Sequence, residues 1–192
     1  MSQETVEIVR GTRIALRRRS ERASRRRSID QHLYVRVPRL YRLLVRAFAR
    51  LPARSRLRRV TLARAVRLAY AAANRRDFDV VLLGWDPESE YRPSSELMPP
   101  DAESVFHGHD GYLRLWRYWL DAFDDIRWEP EEVLDFGDRF VVSTEQSGRG
   151  SGSGVAVTQP VFQVFTLRHG LVMRQEDFLD RAKALEAASS RG

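Results

Sequence analysis

The order of hydrophobic patterns along the chain most constrains how it can fold. Apolar residues recur at helical spacing over 38–51 and 55–74, and an aromatic helix is predicted to begin at the cap residue Asp110. Alternating segments then predict four strands separated by tight turns, over 126–136, 139–146, 155–168 and 171–179. Helices followed by a meander of long antiparallel strands indicate an α+β fold, because parallel sheets require strands and helices to alternate.

Shorter elements are predicted around this framework. The helix over 38–51 is amphipathic, opens at Pro38 and ends before Pro52. A short helix is expected over 77–85 and a short strand over 91–93. Asp180 is expected to cap a last helix that runs through Ala187.

Charge is distributed unevenly between the two parts of the chain. Residues 1–67 contain 20 arginines and four acidic residues, whereas residues 68–192 contain 13 basic and 22 acidic residues. Any contact with a polyanion or a membrane surface is therefore expected in the first third. Residues 17–28 are expected to be partly disordered, because clustered like charges without apolar partners cannot offset the entropy of ordering. Alternatively, the helix over 38–51 packs its apolar face on the domain or on a second copy and exposes its arginines.

Several classes of site and location are disfavoured by composition. The chain has no cysteine, which excludes thiol catalysis and thiolate metal ligands. No apolar run reaches the roughly 18 residues of a transmembrane helix, and the first residues do not resemble a secretory signal, so a cytoplasmic location is expected. His107 and His109 alternate as metal ligands can, but third and fourth ligands are missing, so no metal is expected.

Five segments together resemble the SnoaL-like, polyketide-cyclase-type branch of the nuclear-transport-factor-two-like superfamily. They are NRRDFD (74–79), GWDPESEYRP (84–93), FHGHDGYLRLWRYWLDAFDD (106–125), FGDRFVV (136–142) and LRHGLVMRQEDFLDRAKALEA (167–187). The resemblance implies a cone-shaped barrel of curved antiparallel sheet wrapped around helices, with an apolar pocket at its open end. The resemblance covers about residues 60–188. We therefore expect the domain to span residues 55–188, after a basic, partly disordered extension over residues 1–54 that contains the amphipathic helix over 38–51.

The resemblance does not imply one reaction, so candidate residues are chosen for the chemistry such a pocket needs. A cofactor-free acid/base enzyme needs a carboxylate or histidine between apolar walls and a polar group that holds a substrate oxygen. The candidates for that chemistry are Asp177, Glu145, His109 and Tyr91. The candidates for ligand contact are Tyr70, Trp85, Trp116, Trp119, Phe123, Gln163 and Gln175.

Alternatives remain open at this stage. Whether Glu145 faces the pocket depends on which side of the sheet is concave. Both Glu145 and Asp177 also fit a solvated outer face, because buried unpaired carboxylates are rare. The aromatic residues also fit an ordinary core. The first hypothesis is therefore an isomerase, cyclase or epoxide hydrolase that binds a small hydrophobic molecule. The alternative is a non-catalytic ligand-binding or homodimerisation module.

Overall fold

One open, curved sheet organises the part of the chain that the computed structural model describes, residues 11–16 and 26–190. The strands are β1 (Thr12–Ala15), β2 (Trp85–Arg92), β3 (Phe106–His107), β4 (Arg127–Asp135), β5 (Arg139–Arg149), β6 (Ala156–Arg168) and β7 (Leu171–Phe178). The helices are α1 (Ile29–Arg36), α2 (Pro38–Ala49), α3 (Arg56–Asn74), α4 (Phe78–Leu82), α5 (Gly108–Ala122) and α6 (Arg181–Ser189), with a 3-10 turn at Ser95–Leu97.

The strand order is β1-β4-β5-β6-β7-β2-β3, and the sheet does not close on itself. The α+β prediction with a curved sheet is therefore confirmed. One junction departs from the antiparallel arrangement, because β2 runs parallel to β7. These two strands are distant in the chain and share no hairpin, so no tight turn forces them to be antiparallel.

The strands β4 to β7 follow the predicted meander, and glycine makes two of its turns possible. Gly137 lies between β4 and β5 with φ +107°, and Gly170 lies between β6 and β7 with φ +84°. Both angles are in the region that side chains with a Cβ rarely adopt. The register of each hairpin, and hence which residues face the helices, follows from these turns.

Some element boundaries differ from the sequence predictions. β2 begins at Trp85 and is much longer than the strand expected over 91–93, while α4 ends at Leu82. The helix α5 begins at Gly108 with His107 as its cap residue, so Asp110 lies in the first turn and is not the cap. Gly108 adopts φ +65°, which lets the chain turn from β3 directly into the helix.

The sheet separates two apolar clusters, which define its inner and outer faces. On the inner face, Val133 and Val142 pack with side chains of α3 and α5. On the outer face, Val141 and Val164 pack against α6, which begins at the predicted cap Asp180. Adjacent residues of one strand therefore point to different clusters, as the two-residue period of a strand requires.

The basic residues before α3 are attached to the rest of the fold. Arg27 donates to both carboxylate oxygens of Asp77 at 2.6 and 2.7 Å. Gln31 donates to the backbone carbonyl of Leu68 at 3.2 Å. The helix α2 falls within the range 38–51 predicted for the amphipathic helix.

Two further expectations concern the ends of the fold and its relation to membranes. The disorder expected over 17–28 falls mostly on residues 17–25, which lie outside the described residues. In residues 11–16 and 26–190, no helix combines the length and the apolar composition that a membrane span requires.

Candidate ligand-binding site

A cavity of about 70 Å³ lies between the inner face of the sheet and helices α3 and α5, and we call it the inner cavity. All four tryptophans of the chain contribute to its wall. Its lining is predominantly aromatic and aliphatic: Ala69, Tyr70, Ala73, Val81, Trp85, Tyr91, Tyr112, Leu115, Trp116, Trp119, Trp128, Gln163, Phe165 and Gln175. Such a wall favours an apolar ligand, which a few polar groups can orient.

Strand register brings four polar side chains together beside this cavity. Gln163 on β6 lies opposite Asp177 on β7, and Gln175 precedes Asp177 by two residues on the same face. Tyr91 on β2 lies beside Gln175 in the parallel pair of strands. Gln163 and Gln175 each donate from Nε2 to Oδ1 of Asp177 at 2.9 Å, and the Tyr91 hydroxyl donates to Oδ2.

A fifth residue, Tyr70, extends this network across the cavity. It lies on α3, and its hydroxyl donates to Oε1 of Gln163. The amide nitrogen of Gln163 donates to Asp177, so its amide oxygen faces Tyr70 and can only accept a hydrogen bond there. Three donors thus converge on Asp177, and Tyr70 fixes the orientation of one of them.

Asp177 is buried and is held by neutral donors only. Burial raises the pKa of its carboxyl group, and the hydrogen bonds from Gln175, Tyr91 and Gln163 lower it in part. No salt bridge to Asp177 occurs within residues 11–16 and 26–190. Burial also raises the pKa of Tyr91 and Tyr70, and the charge of Asp177 adds to that increase, so both phenols stay protonated.

The aromatic candidates divide between the cavity wall and its surroundings. Trp85, Trp116 and Trp119 line the inner cavity, together with Tyr91. Phe123 does not: it ends α5, is half-buried and packs beside Gly148, with its ring centroid 6.3 Å from that of Trp119.

The two remaining candidates do not reach the cavity. Glu145 alternates with Val141, which belongs to the outer cluster, so it lies on the outer face of the sheet. His109 lies in the first turn of α5, and its Nε2 is 3.2 Å from the backbone carbonyl of Trp85. The structure therefore brings Asp177 and Tyr91 together and leaves Glu145 and His109 apart from them.

Trp128 and Tyr112 line the cavity without having been selected as ligand contacts from the sequence. Tyr112 belongs to the aromatic helix that the sequence predicts from Asp110 onwards. Trp128 lies on β4, where the register shifts between Pro130 and Glu132. This irregularity breaks the alternation, so the face of Trp128 cannot be read from the sequence alone. The described part of the chain holds no group of three or more potential metal-ligating side chains.

The sequence of this chain matches a model of a known protein family. The model described as the SnoaL-like domain matches residues 66–175, more than half of the chain. The chain belongs to the SnoaL-like family. Among curated proteins, none matches this SnoaL-like chain.

Solved structures share the fold of this SnoaL-like protein. TerC, co-crystallised with polyporic acid, is 25% identical with a TM-score of 0.55, over 66% of this chain and 97% of TerC. A nuclear-transport-factor-two-like protein of unknown function from Burkholderia pseudomallei is 24% identical with a TM-score of 0.56, over 66% and 96% of the two chains. A protein from Catenulispora acidiphila with a ketosteroid isomerase-like fold, in complex with trimethylamine, is 12% identical with a TM-score of 0.50, over 66% and 93%.

Proposed function

We propose that this SnoaL-like protein binds a small, largely apolar molecule in the inner cavity and exchanges a proton with an oxygen of that molecule through the pair Tyr91 and Asp177. The observation that carries the proposal is a buried carboxylate whose three donors are all neutral. A buried carboxylate that serves only stability is normally paired with a cation. A raised pKa beside a cavity is instead typical of groups that exchange protons.

The proton passes through Tyr91, because Tyr91 lines the cavity and its hydroxyl contacts Asp177. When Asp177 is protonated, its carboxyl group donates to the Tyr91 oxygen, and the Tyr91 hydroxyl is free to donate to the ligand. Proton transfer from Tyr91 to the ligand oxygen is balanced by transfer from Asp177 to Tyr91. The reverse sequence removes a proton from the ligand and leaves Asp177 protonated.

The two glutamines orient this pair and meet the ligand. Both line the cavity and both hold Oδ1 of Asp177, which leaves Oδ2 to Tyr91. Tyr70 holds Gln163 in turn. The ligand class that fits is an apolar ketone, quinone or epoxide, because such molecules combine an apolar body with at least one acceptor oxygen. The co-crystallisation of TerC with polyporic acid supports a ligand of this kind.

The test compares two variants of the pair with a matched variant outside the cavity. Polyporic acid, cyclohexenone and styrene oxide are screened by the shift in melting temperature and by product formation, because a ligand of the native state raises the melting temperature. For a compound that is converted, we expect Asp177→Asn and Tyr91→Phe to retain binding and to lower turnover by roughly 100-fold to 10,000-fold. Glu145→Gln, on the outer face, should match the wild type.

Two results separate this proposal from its alternatives. Turnover that persists in both Asp177→Asn and Tyr91→Phe would contradict a role for the pair in proton exchange. Binding without conversion of any compound would favour a non-catalytic ligand-binding module. The structure favours that second function in one respect, because three of the four acceptor positions of the Asp177 carboxylate are already occupied.

A further inference from the structure

A second and larger cavity lies beneath the N-terminal helices. It has a volume of about 270 Å³ and is open to solvent on one side, and its walls are formed by α1, α2 and α3 together with the inner face of the sheet. We call it the outer chamber, and its characteristic lining residues are Tyr41, Leu44, Phe48, Ala65, Leu167 and Val172. One wall of this cavity is therefore formed by α2, and the opposite walls are formed by residues of the SnoaL-like domain.

The outer chamber adjoins the inner cavity. Tyr70, Trp85 and Phe165 line both spaces, so each of these side chains separates the two volumes without any further layer of protein. A ligand that occupies both spaces would require one of these side chains to move. Their combined volume reaches the lower part of the range for small-molecule sites, about 300–1000 Å³.

The helical wall of the outer chamber is fastened to the domain at several points. The guanidinium carbon of Arg58 lies 4.7 Å from the centre of the Phe48 ring. Arg27 forms a bidentate pair with Asp77, and Gly170 lies directly against the backbone of Val45. These contacts hold α1 and α2 over the sheet, so the chamber is a part of the fold.

Polarity differs between the two ends of the combined site. The polar residues Tyr91, Gln163 and Gln175 line the inner end. In the outer chamber, Asp30 is already paired with Arg64, and Gln31 donates to the carbonyl of Leu68. Tyr34, Tyr41 and Thr61 also line the chamber, but most of its wall is aliphatic or aromatic. A ligand that occupies both spaces would therefore need one polar end and an apolar remainder.

We propose that the inner cavity and the outer chamber form one binding site, and that its ligand is an elongated apolar molecule with a single oxygen-bearing end placed in the inner cavity. The proposal rests on the proposed function for the position of the oxygen. It assigns a role to α1 and α2, which lie outside the region matched by the family model. These helices determine how long a ligand the protein accepts.

The test uses straight-chain methyl ketones, from 2-pentanone to 2-undecanone, as probes of the full-length protein. Their affinities are measured from the fluorescence of the four tryptophans, all of which line the inner cavity. Burial of each added methylene is expected to raise the affinity by up to about fourfold, until the chamber is filled.

Two substitutions narrow the outer chamber from different walls, and a third provides the control. Leu44 on α2 and Ala65 on α3 lie at the solvent-exposed rim of the chamber. Leu44→Phe and Ala65→Phe are both expected to weaken the binding of 2-undecanone about tenfold or more and to leave that of 2-pentanone within about twofold. Leu43→Phe changes the neighbouring residue of α2, which is 69% exposed and does not line the chamber, and should leave both affinities unchanged. The melting temperatures show whether each variant is folded.

The outcomes distinguish this inference from the proposed function. If 2-pentanone binds and the longer ketones bind no better, or if both narrowing variants keep the wild-type dependence on length, the shared site is wrong and the inner cavity alone is the ligand site. If neither the short nor the long ketones bind, the proposed function and this inference are both contradicted.

Discussion

At the scale of single residues, two buried aspartates illustrate how neighbours determine a role. Asp135 accepts from Nε of Arg58 at 2.7 Å and from Nη2 at 3.0 Å, so its charge is compensated. Asp177 has only neutral donors beside an apolar cavity. We therefore attribute a structural role to Asp135 and a proton-exchanging role to Asp177.

The ion pair between Arg58 and Asp135 is expected to be essential for stability. Arg58 is 2% exposed and also donates to the backbone carbonyl of Gly137. In Asp135→Asn, the guanidinium stays buried without a counter-ion, which should lower the free energy of unfolding by about 3–5 kcal/mol. Urea denaturation measures this change.

The control for this prediction is a pair at the surface. Glu103 and Arg114 form a bidentate contact that is open to solvent, and Glu103→Gln should leave stability close to that of the wild type. A double variant, Arg58→Met with Asp135→Leu, should recover much of the stability lost in Asp135→Asn. A loss in Asp135→Asn no greater than that in Glu103→Gln would show that the buried pair is not needed.

At the scale of secondary-structure elements, the position of α2 depends on the turn between β6 and β7. A Cβ atom on Gly170 would lie well inside contact distance of the Val45 carbonyl, and its φ of +84° is unfavourable for other residues. The turn and α2 can therefore pack closely only because residue 170 has no side chain.

Gly170→Ala is expected to displace α2, and Gly154→Ala provides a matched control. Gly154 also has a positive φ, +65°, but its Cβ would meet no atom within 4 Å. In the control, the free energy of unfolding should fall only by the cost of the backbone conformation, about 1 kcal/mol. In Gly170→Ala, the free energy of unfolding should fall further, and the affinity for 2-undecanone should also decrease. Melting curves and ketone titrations of both variants measure the difference. Equal losses in the two variants would contradict the close contact between α2 and the turn.

At the scale of the whole molecule, the sequence predicts the meander better than it predicts the site. Alternating segments and glycine turns identify β4 to β7, because both signals are local. The parallel contact of β2 with β7, which places Tyr91 beside Gln175, joins segments far apart in the chain. No local pattern carries that information, so the network around Asp177 could be predicted only as a set of candidates.

The outer chamber illustrates the same limit. The amphipathic pattern over 38–51 predicts a helix, but it does not specify what the apolar face of α2 contacts. Its role as a wall of a cavity depends on contacts with α3 and the sheet. Homodimerisation and contact of residues 1–54 with a polyanion or a membrane stay predictions.

The central claim is that Asp177 is a buried carboxylate without a compensating cation, and the pH dependence of stability tests it most directly. The measurement is the free energy of unfolding of the wild type minus that of Asp177→Asn, from pH 3 to pH 8. Because burial raises the pKa of Asp177 in the native state, the native protein binds more protons than the unfolded chain between the unfolded pKa of about 3.9 and the raised native pKa.

The direction in which this difference changes with pH shows whether the native pKa of Asp177 is raised or lowered. We predict that this difference decreases as the pH rises from about 3.9 through the raised native pKa of Asp177, and is constant above it. A carboxylate stabilised by a cation has a lowered native pKa and gives the opposite slope. A difference that increases with pH would therefore contradict the account, because Asp177 would then be a stabilised anion with no raised pKa for proton exchange.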